Sequence, residues 1–117
     1  MEIIIFQTAA GSSPLQEYLE SLDEKTRKKV VWAMDRLAKE GFNLLRTSDI
    51  FSKIDDDLYE LKIPYNGMQH RVMCGWINSK MYAVDGFAKK EQKLKRADIV
   101  RSQTRMQVIK KAYQKQQ

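Results

Sequence analysis

The chain has 117 residues, 43% of them apolar, and carries a formal net charge of +6. That length suits one domain over residues 1–117 with a single hydrophobic core, since a domain of this size buries roughly two-thirds of its unfolded surface and needs no staple. One cysteine and one histidine exclude an internal disulfide and a zinc site of the usual kind, and no apolar run approaches the length of a membrane span.

The opening residues to Thr8 contain Ile3, Ile4, Ile5 and Phe6, a β-branched run that predicts a short strand buried on both sides. It is too short for a signal-peptide core and has no basic flank, and with the lone Cys74 it points to a cytoplasmic protein without membrane contacts. Ser13-Pro14 reads as a helix start, with Ser13 as N-cap and Gln16 completing a capping box. Ser21 followed by Glu24 predicts a second helix, to about Glu40, closed by Gly41. Val30, Val31, Met34, Leu37 and Ala38 form its expected buried stripe. The two helices read as a hairpin laid against a sheet.

Roughly Phe42 to Asp56 reads as a connector, and three strands follow. The first, Asp57 to Ile63, alternates Tyr59, Leu61 and Ile63 with Leu58, Glu60 and Lys62. Asn66-Gly67 predicts a hairpin into Gln69 to Ile77, where Val72, Cys74 and Trp76 alternate with Arg71, Met73 and Gly75. Asn78-Ser79 turns into a third strand, Lys80 to Phe87. From about Lys95 to Tyr113, Ile99, Val100, Met106, Ile109 and Tyr113 recur at helical spacing. The fold class is α+β: two N-terminal helices on a small antiparallel meander, with a C-terminal helix.

Charge is uneven along this plan. Up to Gly86 eleven Lys and Arg face thirteen Asp and Glu; from Phe87 onward ten face two, Glu91 and Asp98. Such a basic quarter suits a surface that meets phosphate, although a solvated basic helix reads equally well from charge alone. Strand alternation sets Glu60 and Lys62 on one face, and Arg71 joins it if the register allows. With Lys89 and Lys90 ending the third strand, Lys62, Arg71, Lys89 and Lys90 then surround one patch, a costly convergence unless an anion sits there. The bland alternative pairs Glu60 with Lys62 or Arg71. Cys74 shares its face with Val72, Trp76 and His70 and reads as buried and inert.

The runs Leu58-Tyr59-Glu60-Leu61-Lys62, Arg71-Val72 and Asp85-Gly86-Phe87-Ala88-Lys89-Lys90-Glu91-Gln92-Lys93 resemble the phage-derived, HigB-like branch of the RelE/ParE toxin superfamily. The Ser13-Pro14 helix and the Leu37 to Gly41 helix end match the same branch in order and spacing, so the likeness covers nearly the whole chain. It implies a RelE-like fold and the toxin of a type II toxin–antitoxin pair. It further implies a ribosome-dependent, metal-independent messenger RNA endoribonuclease, with no cofactor, in which the ribose 2′-hydroxyl attacks the adjacent phosphate. Its partners would be the ribosome, messenger RNA and a cognate antitoxin, a helix-turn-helix protein of the HigA kind. Carried over by position, Lys62, Arg71, Lys89 and Lys90 are the catalytic cations, and Lys93, Lys95 and Arg96 are RNA contacts. Where RelE has a tyrosine after the last strand, this chain runs Lys93 to Arg96, so the proton donor is open among His70, Tyr65, Tyr82 and a lysine. Leu94-Lys95 stands where relatives often have Thr-Pro, which predicts a frayed start to the final helix. Two other functions stay open: a gyrase-inhibiting ParE-like toxin, and a non-catalytic nucleic-acid-binding phage regulatory module.

Overall fold

The computed structural model describes residues 1–115. In chain order the elements are β1 (Ile3–Ile5), α1 (Pro14–Ser21), α2 (Glu24–Glu40), a short 3-10 turn (Gly41–Asn43), α3 (Leu44–Thr47), β2 (Phe51–Asp55), β3 (Leu58–Tyr65), β4 (Met68–Ile77), β5 (Lys80–Lys89) and α4 (Arg96–Lys115). The sheet order is β1-β5-β4-β3-β2, with β1 parallel to β5 and every other pair antiparallel. The expected α+β plan stands, with two changes: the sheet is mixed, and it has five strands. No helix is long and apolar enough to cross a membrane among the described residues.

The capping chemistry is close to expectation at α1 and displaced at α2. Ser13 Oγ accepts from the Gln16 N–H at 3.2 Å, but Gln16 turns its amide to Glu20, so only half the capping box forms. Asp23, not Ser21, caps α2 by accepting from the Thr26 N–H at 2.8 Å. Ser21 ends α1 and donates to the Tyr18 carbonyl. The buried stripe of α2 is Thr26, Val30, Ala33 and Leu37, while Val31 is exposed. The predicted connector holds α3 and the edge strand β2. β1 lies at the opposite edge, so it is not buried on both sides and Ile5 is exposed.

Two turns fix the register of the meander. Asn66-Gly67 and Asn78-Ser79 all have positive φ, the geometry of two-residue hairpins whose twist matches the strands. Strand alternation then sorts the sheet into two cores. Leu61, Val72 and Cys74 pack with Leu15, Val30 and Leu37 of α1 and α2, with Trp76 against them. Leu58, Met73 and Val84 pack on the other side with Met106 of α4. Glycine permits close approach on each side: a Cβ on Gly75 would lie 2.8 Å from Met106 Cγ, and one on Gly86 2.6 Å from Tyr18 Cδ2.

A bulge between β4 and β5 pairs Met73 with Asp85 but the next residue, Cys74, with Ala83. Val84 and Asp85 therefore both serve the α4 side: Val84 in its core, Asp85 in contact with Arg101 and Arg105. Arg101 also reaches Asp98, and Lys89 lies 3.4 Å from Asp98. Asp85 and Asp98 are both buried and each faces two cations, so this network ties the first turns of α4 to the end of β5 without leaving a buried carboxylate unpaired. The helix begins at Arg96 and is held there by these contacts despite the missing Thr-Pro.

Candidate nucleic-acid interface

The register brings most of the predicted cations to one end of the α4 face. Lys62 pairs with Arg71 across β3 and β4, and Arg71 pairs with Phe87 across β4 and β5. Neighbouring strands lie about 4.8 Å apart, so these three residues span about 10 Å of sheet. Lys89 follows two residues along, opposite Gln69, and Lys90 leaves the strand. Lys62 is half-buried; Lys90, Lys93, Lys95 and Arg96 are exposed.

Arg71 is where the expected geometry needs correcting. Its side chain is 1% exposed, and its Nε lies 3.0 Å from Glu60 Oε2. Nη2 donates to the backbone carbonyls of Glu91 at 3.0 Å and Gln92 at 2.6 Å. The segment after β5 thus folds back over the guanidinium, and Arg71 is not offered to solvent as an open phosphate fork. The bland reading, Glu60 paired with Arg71, is what forms. The consequence for the surface is positional: Arg71 pins residues 91 and 92, and the basic run on either side of them is held at the sheet end.

Several cations here are already matched. Lys89 faces Asp98, and burial, which acts to raise the Asp98 carboxyl, is outweighed by Arg101 and Lys89, which hold it below the ordinary carboxylate range. Lys95 lies 3.7 Å from Glu91, an exposed pair of little energetic weight. Lys62, Lys90, Lys93 and Arg96 have no carboxylate partner among the described residues. Lys93 and Arg96 help line a surface depression of about 550 Å³, together with Glu91, Leu94, Lys95 and Ile99. Its apolar floor and cationic rim suit a base and its phosphates, stacking and charge being the two sequence-tolerant ways to hold single-stranded RNA.

The three aromatic candidates for proton transfer are elsewhere. His70 is buried on the α1 side, bonded through Nδ1 to the Tyr18 hydroxyl. Tyr65 lies on the α2 side under the Lys29 ammonium, 4.8 Å from the ring centre. Tyr82 is on the α4 face but at its far end, beside Val108 and Ile109. The parity of β3 and β4 already separates Tyr65 and His70 from Lys62 and Arg71; nothing in the sequence places Tyr82. Sequence reasoning also missed the Asp85, Asp98, Arg101 and Arg105 network. Its visible signal was an acid in an otherwise apolar strand, and an Asp–Arg pair three residues apart on a helix.

Burial lowers the His70 pKa, with the Asp23 charge opposing, and burial raises the Tyr18 hydroxyl to about 12. Both rings are thus neutral near pH 7, and the Tyr18 hydroxyl and His70 Nδ1 share one hydrogen bond. A folded-state pKa below the unfolded value means that the unfolded chain binds the extra proton first. Stability is therefore full above about pH 6.5 and falls as pH drops through the folded pKa. Thermal melts of the wild type should show that loss below pH 6.5, and His70→Gln should flatten it. Identical pH profiles for the two proteins would contradict this assignment.

Residues 17–107 match the family described as "Phage derived protein Gp49-like (DUF891)". The chain belongs to this family. The matched span runs from within α1 through β5 into α4, so it contains most of both cores and the whole cationic end. It is a RelE/ParE-like toxin family of toxin–antitoxin systems, and an antitoxin partner follows from that membership. Comparisons with curated proteins and with solved structures found no match.

Proposed function

We propose that this protein is a ribosome-dependent messenger RNA endoribonuclease of the HigB-like branch, acting in the cytoplasm and neutralised by a helix-turn-helix antitoxin. The observation that carries this reading is the set of cations without carboxylate partners among the described residues, Lys62, Lys90, Lys93 and Arg96, of which Lys93 and Arg96 line the depression that also holds Leu94 and Ile99. In the reaction the 2′-hydroxyl gives its proton to water as its oxygen bonds to phosphorus, the bond to the 5′-oxygen breaks, and a 2′,3′-cyclic phosphate and a 5′-hydroxyl result. Lys62 and Lys89 face the charge that builds on the phosphorane oxygens. With no histidine or tyrosine on hand, a lysine ammonium, Lys90, gives the proton to the departing oxygen. Lys93, Lys95 and Arg96 hold the flanking phosphates, and Arg71 contributes by keeping their segment in place.

That same lack of an aromatic acid favours one second reading, a gyrase-inhibiting toxin that shares the fold without nuclease chemistry. Induced expression in a bacterial host separates the two. The nuclease reading expects methionine incorporation to stop within minutes, with transcripts cut inside codons and no DNA-damage response. Induction of that response with intact transcripts would favour gyrase, and neither effect would leave only a binding module.

A further inference from the structure

At the other end of α4 the packing changes character. After Met106 the helix contributes no fully buried residue, and Val108 and Tyr113 are 50% and 41% exposed. Across from them lies β1, the edge strand, with Ile5 38% exposed. Between the two runs an apolar groove of about 300 Å³, lined by Ile5, Phe6, Tyr82, Val108, Ile109 and Tyr113 among others. Its surroundings are cationic. Lys111 and Lys115 stand three and seven residues beyond Val108, on the same helical face, and from Met106 to Lys115 the helix has no acidic residue. Lys110 turns the other way, toward Asp55 and Asp56.

We infer that this β1–α4 groove is the anchoring surface for the antitoxin, and that it takes an amphipathic segment with apolar side chains inward and acidic residues over Lys111 and Lys115. The inference rests on the toxin reading for the partner's identity and on the groove alone for its place. Apolar side chains entering a concave slot give residence time, and the flanking charges speed encounter without adding much affinity. Residue 109 lies thirteen positions from Arg96, about 20 Å along the helix, so anchoring here is separable from RNA contact at the cationic end.

The test uses the full-length toxin and the purified product of the reading frame adjacent to its gene, with binding followed by calorimetry and stopped flow. Val108→Glu and, independently, Ile5→Glu should each weaken binding by roughly thirtyfold or more, as loss of a central contact does. Both sites are exposed, so the fold should survive, with circular dichroism as the check, and ribosomal cleavage should stay at the wild-type rate. Lys111→Glu with Lys115→Glu should slow association mainly at low salt. Wild-type affinity in both apolar variants would overturn the groove while leaving the toxin reading intact. A wild-type toxin that does not bind the adjacent product would overturn the antitoxin as occupant, as would a toxin dimer dispersed by Val108→Glu. Loss of cleavage by wild type and variants alike, with the binding pattern unchanged, would sink the nuclease reading and spare the groove.

Discussion

Arg71→Ala should be among the most destabilising single substitutions in this protein. The guanidinium is 1% exposed and faces a carboxylate, Glu60, that is itself buried. Removing one partner of a buried pair strands the other charge, which costs about 3–5 kcal/mol, against the roughly 5–15 kcal/mol that holds a typical domain together. The two bonds to the Glu91 and Gln92 carbonyls go as well, though those exposed residues can turn to water. A fall in Tm of about 10 °C or more is expected. Glu60→Leu combined with Arg71→Met removes both charges and should recover most of that loss, because replacing a buried pair by apolar groups is often close to neutral. The double variant also separates two roles. If Arg71 only pins residues 91 and 92, it should keep a stable fold while cleavage declines through a loosened basic segment. A single Arg71→Ala variant that melts within about 1 kcal/mol of wild type would contradict this account, since that is the size expected of an exposed pair.

Arg71, which the resemblance offered to a phosphate with Lys62, Lys89 and Lys90, is thus committed by the fold to structure. Alternation put Arg71 on the correct face, because side chains in a strand have a period of two and the Asn66-Gly67 turn fixes the register. Burial was not legible, because it depends on residues twenty positions later folding back to accept its hydrogen bonds. Long-range closure of this kind leaves no local periodicity. The same reason hid β2, an edge strand in which only Phe51 is buried, so that Ser52, Lys53 and Asp55 read as a loop. The bulge that turns both Val84 and Asp85 toward α4 was equally silent, and with it the arginine network that seats the helix. By contrast the hairpins, the helix over 24–40 and the two-sided sorting of β3 and β4 followed from short-range chemistry: paired turn residues, a C-terminal glycine and strict alternation. For the candidate site the sequence located the cationic run, and of the proton donors it left open, His70, Tyr65 and Tyr82 lie away from that end. His70 could have been set aside on parity alone, since it shares the face of Val72 and Cys74.

The second large effect concerns chemistry. Lys62 stands in the cross-strand row with Arg71 and Phe87 and has no carboxylate partner among the described residues, so its charge is available to a phosphate. Withdrawing one such group from a developing phosphorane should cost a factor of about 100 to 1,000 in rate. Lys89 is tied to Asp98, and its loss should disturb the seat of α4 as well as activity. Lys62→Ala is therefore the cleaner probe, because the side chain is only half-buried and contributes no ion pair to the fold. Lys90→Ala should slow the step and shift its pH dependence if that ammonium delivers the leaving-group proton.

The decisive measurement is single-turnover cleavage of messenger RNA on programmed ribosomes by purified wild-type and Lys62→Ala protein, with thermal melting of both as the folding control. The account predicts a 2′,3′-cyclic phosphate product from wild type only when ribosomes are present, and at least about a hundredfold slower cleavage by a Lys62→Ala variant that melts like wild type. Undiminished cleavage by folded Lys62→Ala, or no cleavage by wild type on any programmed ribosome, would contradict it.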